Sequence, residues 1–224
     1  MIVDFVELRH KMVDNQIRTV DVTDLLVLKA FLTVPREDFV PENIRDLSYC
    51  DSDIVVFPAQ DDLSARHLMR PASLAKLLQL AAVKSSDVVL DIGANIGYCA
   101  ALFSKLVKSV IALESNEVLA EQAAEILERN QCDNVMVVHG ALEKGYTVKG
   151  LYDVIFIEGA VDFIPDGIFD QMEEGGRLVV VEGYGNAGVA RIYIKKENTI
   201  SACHGFNLSV KPLPGFLKVP SFVF

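Results

Sequence analysis

The sequence predicts an α/β domain with a Rossmann-like, seven-stranded, mostly parallel sheet and a helical N-terminal extension. Three observations carry this. The apolar run Val88-Val89-Leu90 passes through Asp91 and Ile92 into Gly93-Ala94-Asn95-Ile96-Gly97, and helical sequence follows. That order reads as strand, tight turn and helix, with a ligand seat at the carboxyl end of the strand. A second apolar run, residues 109–113, ends in Glu114, one βαβ step beyond Gly93. Residues 152–157 are apolar enough for the buried middle of a parallel sheet.

The elements follow in chain order. Residues 1–18 read as a helix of imperfect period, with Val3, Val6, Met12, Val13 and Ile17 on its apolar side. Asp21 to Asp24 offer N-cap residues for a second helix, with Leu25, Leu26, Leu28 and Phe31 inward and Val34-Pro35 as its stop. Residues 54–57 form a short strand. Residues 72–82 form a helix with Leu74, Leu77, Leu78 and Ala81 on one face. Residues 88–92, 109–113 and 135–138 are strands, with a helix over 117–130 between the last two. A short helix over 164–172 precedes Gly175-Gly176, where the two glycines suit a helix C-cap and a sharp turn. Residues 190–196 and 200–209 form a hairpin about Glu197-Asn198-Thr199. The tail holds Pro212, Pro214 and Pro220, so it is extended and unsuited to a central strand.

Composition narrows the function. The 224 residues suit one structural unit, divided here into an extension with an acceptor loop (1–80) and a binding core (81–224). Lys and Arg number 21 against 31 Asp and Glu, a net charge of −10 with no basic run. Tight nucleic-acid binding requires clustered cations, so a nucleic-acid partner is not expected. No stretch approaches the roughly 18 apolar residues of a spanning helix, so no membrane partner is expected either. Asp4 and Glu7 interrupt the apolar N-terminal stretch, unlike a secretion signal. Cys50, Cys99, Cys132 and Cys203 are scattered, which reads as reduced thiols in a cytoplasmic protein. No metal-ligand spacing is present.

The central turn can be tested against known patterns. Dinucleotide sites want glycines at positions one, three and six, and phosphate loops end in Gly-Lys-Ser/Thr. Neither fits. Asp91-Ile92-Gly93-Ala94-Asn95-Ile96-Gly97 resembles the first motif of S-adenosyl-L-methionine (SAM) methyltransferases. That resemblance implies that the loop carries the methionine part of SAM, with Asp91 near its amino group. Glu114 is placed to accept from both ribose hydroxyls of a nucleoside.

A second resemblance is more specific. Residues 12–18 (MVDNQIR), 24–30 (DLLVLKA) and 34–41 (VPREDFVP) resemble, in order and spacing, the N-terminal region of protein-L-isoaspartate O-methyltransferases. Gly175-Gly176-Arg177-Leu178 and the tail from Leu213 to Phe216, with residues 221–224, resemble later parts of that family. The resemblance implies methyl transfer from SAM to an isoaspartyl carboxylate of a protein or peptide, for repair. The cofactor residues it implies are Asp91, Gly93, Ala94, Asn95, Gly97, Glu114, Ser115, Gly140, Ala141, Leu142 and Glu158.

The departures are local. The family carries a Gln-Thr-Ile-Ser motif before a proline and a long helix. Anchored on Pro71, this chain has Arg66-His67-Leu68-Met69-Arg70, with Met69 at the serine position. His67, Met69 and Arg70 are therefore the candidate acceptor-loop residues. An acid usually follows the glycine at position 140, where Ala141-Leu142 stand here. Glu158 replaces a small polar residue and is expected to repel an anionic acceptor unless an arginine neutralises it. These departures leave two alternatives, a SAM methyltransferase with another acceptor and a non-catalytic SAM-binding protein. The oligomeric state is not read from the sequence.

Overall fold

The computed structural model describes residues 3–60, 64–183 and 185–218. Positions 61–63 of the acceptor stretch, and Pro220 with residues 221–224 of the tail, lie outside the described residues.

The first helix is shorter than its sequence suggests. α1 (Phe5–Met12) is capped by Asp4, whose carboxylate accepts from the Glu7 amide at 3.0 Å. It then widens into a π turn, Val13–Ile17, and tightens into a 3-10 turn, Arg18–Val20. The wider turn shifts the helical phase, which explains the imperfect period. It brings Met12, Val13 and Ile17 into the core, while Val6 is exposed, contrary to expectation. α2 (Leu25–Thr33) starts at the predicted cap, with Asp24 accepting from the Leu26 and Val27 amides. Its buried face is Val27, Leu28, Ala30 and Phe31; Leu25 and Leu26 occupy the solvent side of the first turn.

β1 (Ile54–Phe57) and β2 (Arg66–Leu68) form a small antiparallel pair. Much of the expected acceptor loop is thus a strand. α3 (Pro71–Ala81) begins with proline at its first position, where the missing N–H costs nothing.

The main sheet contains β3 (Val88–Ile92), β4 (Ser109–Glu114), β5 (Val135–His139), β6 (Tyr152–Val161), β7 (Met172–Glu182), β8 (Val189–Lys196) and β9 (Thr199–Asn207). Their order is β5-β4-β3-β6-β7-β8-β9. The pairings from β5 to β7 are parallel, and β8 and β9 pair antiparallel. The predicted seven-stranded, mostly parallel sheet is observed. The strand order reverses between β3 and β6, so the crevice of a doubly wound sheet opens over their carboxyl ends. The β8–β9 turn uses Glu197 and Asn198, both at positive φ (51° and 59°), as a tight two-residue hairpin requires.

The strands bury both faces by alternation. Val89, Val110, Ala112, Val154, Phe156 and Val179 join one cluster; Leu90, Ile111, Leu113, Ile155, Ile157 and Leu178 join the other. The first cluster continues into α2, α3 and α4 (Tyr98–Ser104), so the N-terminal extension shares the core of the sheet. The second is covered by α6 (Asp166–Phe169) and the tail residues Leu213 and Phe216. α5 (Glu117–Arg129), capped by Asn116, joins β4 to β5.

One detail differs from the sequence reading. Gly175 and Gly176 do not cap a helix. They lie in a bulge of β7, where Tyr152 and Val154 face Met172 and Arg177, and Gly176 packs so tightly that a Cβ would lie 2.7 Å from the Glu173 carbonyl oxygen. The arginine after them is an anchor: Arg177 pairs with Asp87 at the foot of β3 and donates to the Ala82 carbonyl. Among the described residues no helix is long and apolar enough to cross a membrane. All four cysteines are free, Cys99 and Cys132 buried, Cys50 and Cys203 exposed.

Candidate cofactor and acceptor site

The turn after β3 is fixed by its own backbone. The Gly93 and Ala94 amides both donate to the Leu113 carbonyl, at 2.9 and 3.0 Å, which binds the loop to the end of β4. Gly93, Asn95 and Gly97 have φ of 87°, 56° and 91°. Three left-handed residues in five explain the choice of Gly and Asn. The Asn95 side chain donates to the His67 carbonyl at 3.0 Å, joining the loop to β2.

Glu114 is fully buried. Its carboxylate accepts from the amides of Asn95 (2.8 Å), Ser115 (2.8 Å) and Asn116 (2.9 Å), and from the Ser115 hydroxyl at 3.3 Å. It also accepts from the Arg66 guanidinium at 2.5 Å, and a second arm of Arg66 donates to the Gly93 carbonyl at 3.1 Å. Both members of this ion pair are buried. Beside it, Gly140 donates its amide to the Glu114 carbonyl at 3.0 Å, Ala141 follows it, and Leu142 is buried in the second cluster.

The opposite end of the crevice is acidic. Both oxygens of Asp91 and Oε2 of Glu158 are buried without a hydrogen-bond partner among the described residues. Polar atoms of Asp91, Cys99 and Glu158 lie within 4.8 Å of one another. Burial, reinforced by Glu114, pushes the Asp91 carboxyl up to about 8. Burial and Asp91 also raise the Glu158 carboxyl, opposed by Arg66 and Arg36. Burial and Asp91 outweigh those two cations. Burial likewise raises the Cys99 thiol.

A local irregularity of the sheet positions Glu158. Phe156 pairs with Val179 and Ala160 with Val181, so residues 157–159 oppose only Val180. The tail fills the resulting fold. Ala160 donates to the Lys211 carbonyl and accepts from the Leu213 amide, each at 2.9 Å. Leu213 then packs so closely on the central turn that a Cβ on Gly93 would lie 2.7 Å from its Cδ1. The sequence marks this tail as extended and as similar to the family's tail; its proline spacing gives no sign of the partner it covers.

The three acceptor candidates separate. His67 and Met69 line a small cavity of about 20 Å³ with Asp53, Glu158, Gly159, Val210 and Lys211. Burial, then Lys211, lower the His67 imidazole. Arg70 does not reach this cavity; its side chain turns back along α3 to donate to the Ser73 hydroxyl at 2.7 Å. Met69 is buried, and its carbonyl accepts from Arg36 at 2.9 Å.

The donor set can be compared with SAM. Two unpartnered buried carboxylates beside a loop of left-handed residues suit the cationic methionine end of SAM. At the nucleoside end Glu114 has the right chemistry, and Arg66 now holds it. The residues therefore carry the chemistry that both ends of the cofactor need. Sheet, switch point and site together define a SAM-dependent methyltransferase fold.

Comparison with known proteins specifies the class. The profile of the protein-L-isoaspartate(D-aspartate) O-methyltransferase family matches residues 7–207. A protein-L-isoaspartate O-methyltransferase of Opitutus terrae is 34% identical over 175 residues, which cover 78% of this chain and 72% of that protein. One from Nitrosococcus oceani is 32% identical over 198 residues, 88% of each chain. A solved protein-L-isoaspartate O-methyltransferase superposes with a TM-score of 0.79 at 26% identity, covering 93% of this chain and 67% of that one. A Plasmodium falciparum structure described as a putative enzyme of the same name, in complex with S-adenosyl-L-homocysteine, gives 0.75 at 19% identity, covering 96% of this chain and 100% of that one. The chain belongs to the protein-L-isoaspartate(D-aspartate) O-methyltransferase family.

Proposed function

We propose that the chain methylates the carboxylate of isoaspartyl residues in proteins or peptides, with SAM as donor, as a step of protein repair. The observation that carries this is Asp91: a fully buried carboxylate with both oxygens unpartnered, at the strand end beside Gly93. A buried acid of this kind requires a cation or a proton. We assign Asp91 to the amino group of SAM and Gly93, Ala94, Asn95 and Gly97 to its methionine part. Glu114 and Ser115 belong to the ribose, Gly140, Ala141 and Leu142 to the adenine side, and Glu158 to the reacting end.

SAM supplies an electrophilic methyl group on a sulfonium sulfur. The acceptor carboxylate, with a pKa of about 4, is ionised at neutral pH and needs no general base. The work left to the chain is positioning and water exclusion. His67 and Met69 stand where an acceptor would approach Glu158. Arg66 and Arg36 oppose, without outweighing, the burial and Asp91 that raise the Glu158 carboxyl there. Residues 1–80 cover the acceptor side and 81–224 hold the cofactor, as one unit. Free cysteines support a reducing, cytoplasmic setting. The shared description of the named relatives favours the isoaspartyl acceptor over a different one.

The test is transfer of labelled methyl from SAM to an isoaspartyl peptide, with the aspartyl peptide as control. Selective labelling is expected. SAM binding without labelling would overturn the acceptor; no SAM binding would overturn the cofactor.

A further inference from the structure

Arg66 opens the stretch that runs to Pro71, and the structure turns it inward to Glu114. A carboxylate offers about four lone-pair directions. Three are met by the amides of Asn95, Ser115 and Asn116, which belong to fixed backbone. Two of these amides, Ser115 and Asn116, share Oε1 with Arg66, while Oε2 accepts from Asn95 alone; the second arm of Arg66 covers the Gly93 carbonyl of the same turn. A ribose diol brings two more donors to this acid. Glu114 cannot receive both while Arg66 crowds Oε1, because Oε2 has only one direction left. Among the described residues around Glu114, Arg66 alone reaches it through a long side chain, and it comes from the short strand β2.

We propose that Arg66 is a displaceable occupant of the nucleoside subsite, so that a nucleoside cofactor binds only when the Arg66–Glu114 pair opens. This rests on the SAM reading above and adds a determinant of its affinity. The pair sets a fraction of molecules competent to bind, and the apparent dissociation constant rises as that fraction falls. Removing the arginine side chain is then expected to tighten binding, the opposite of what loss of a merely structural residue does. Glu114 would keep its three amide donors in such a variant.

The experiment is calorimetric titration of the wild-type chain and of Arg66→Ala with S-adenosyl-L-homocysteine. The expected result is binding by both, about tenfold or more tighter in the variant. Equal or weaker binding by a folded variant would overturn the proposal and leave the cofactor reading standing. Binding by neither would remove both. If Arg66→Ala does not fold, nitrogen-15 spectra of the wild-type arginine side chains decide, with Arg66 assigned through Arg66→Lys. Its Nε–H signal must shift when S-adenosyl-L-homocysteine binds; an unmoved signal in a saturated sample refutes displacement.

Discussion

The guanidinium of Arg36 joins Met69 to the N-terminal extension. It is fully buried, donates to the Met69 carbonyl at 2.9 Å and to the Ser48 carbonyl at 2.7 Å, and lies 4.9 Å from the centroid of the Tyr98 ring. One side chain thus connects the Pro35-Arg36 turn, the segment before β1, the end of β2 and the first residue of α4.

Arg36→Met keeps most of the volume and removes both donors. Each orphaned buried carbonyl costs about 1–3 kcal/mol, while release of a buried charge returns part of that. A net loss of ~2 kcal/mol is expected by urea unfolding. An unchanged midpoint would show that these bonds do not hold the extension to the acceptor segment.

Asp91 gives a pH dependence of definite sign. Its carboxyl is raised by burial and by Glu114 to about 8, far above its value in the unfolded chain. Below about pH 4 both states are protonated and the group costs nothing. From there to about pH 8 the unfolded chain releases a proton that the folded chain retains, so stability falls by up to ~1.4 kcal/mol per pH unit. Asp91→Asn removes this dependence. Urea unfolding should show the variant gaining on the wild type as pH rises from 5 to 8, and the variant should bind S-adenosyl-L-homocysteine more weakly. A stability difference independent of pH would mean that Asp91 is ionised throughout.

The strands and the ligand loop were legible because their signals are local. Apolar runs, Gly93 and Gly97, and the cap Asp24 each specify structure within a few residues. Facing was less legible. Leu25 and Leu26 are apolar yet exposed, because the Asp24 cap fixes the helical phase that turns them outward. A π turn, invisible in composition, rephased Val13 and Ile17. At the site, sequence spacing supplied Asp91 and Glu114 but not what surrounds them. Arg66 is 48 positions from Glu114, and Leu213 arrives from the tail to cover Gly93. Such meetings depend on how β2 and the tail cross the strand ends, and no local period records that.

Met69→Ser tests the acceptor assignment. The residue lines the cavity with His67 and Glu158, and serine there supplies a hydroxyl and more room. Truncating a buried methionine costs stability, on the order of 2 kcal/mol. The rate of labelling of isoaspartyl peptide is expected to rise at least severalfold at a temperature where both proteins are folded. A rate that stays level or falls would separate Met69 from acceptor orientation.

Gly93 and Leu213 form the contact that closes the tail over the loop. Gly93→Ala meets two obstacles. One is its φ of 87°, a left-handed value costly to any residue with a Cβ, by about 1–2 kcal/mol. The other is the approach of Leu213 Cδ1, 2.7 Å from the new carbon. Leu213→Ala removes the second obstacle and leaves the first. A double-mutant cycle in urea should therefore return a coupling of ~1 kcal/mol, with Gly93→Ala less harmful in the Leu213→Ala background. S-adenosyl-L-homocysteine binding should weaken in both proteins carrying alanine at 93, because strain in the backbone remains beside Asp91. Strict additivity of the two stability changes would mean that the tail does not press on this turn in solution.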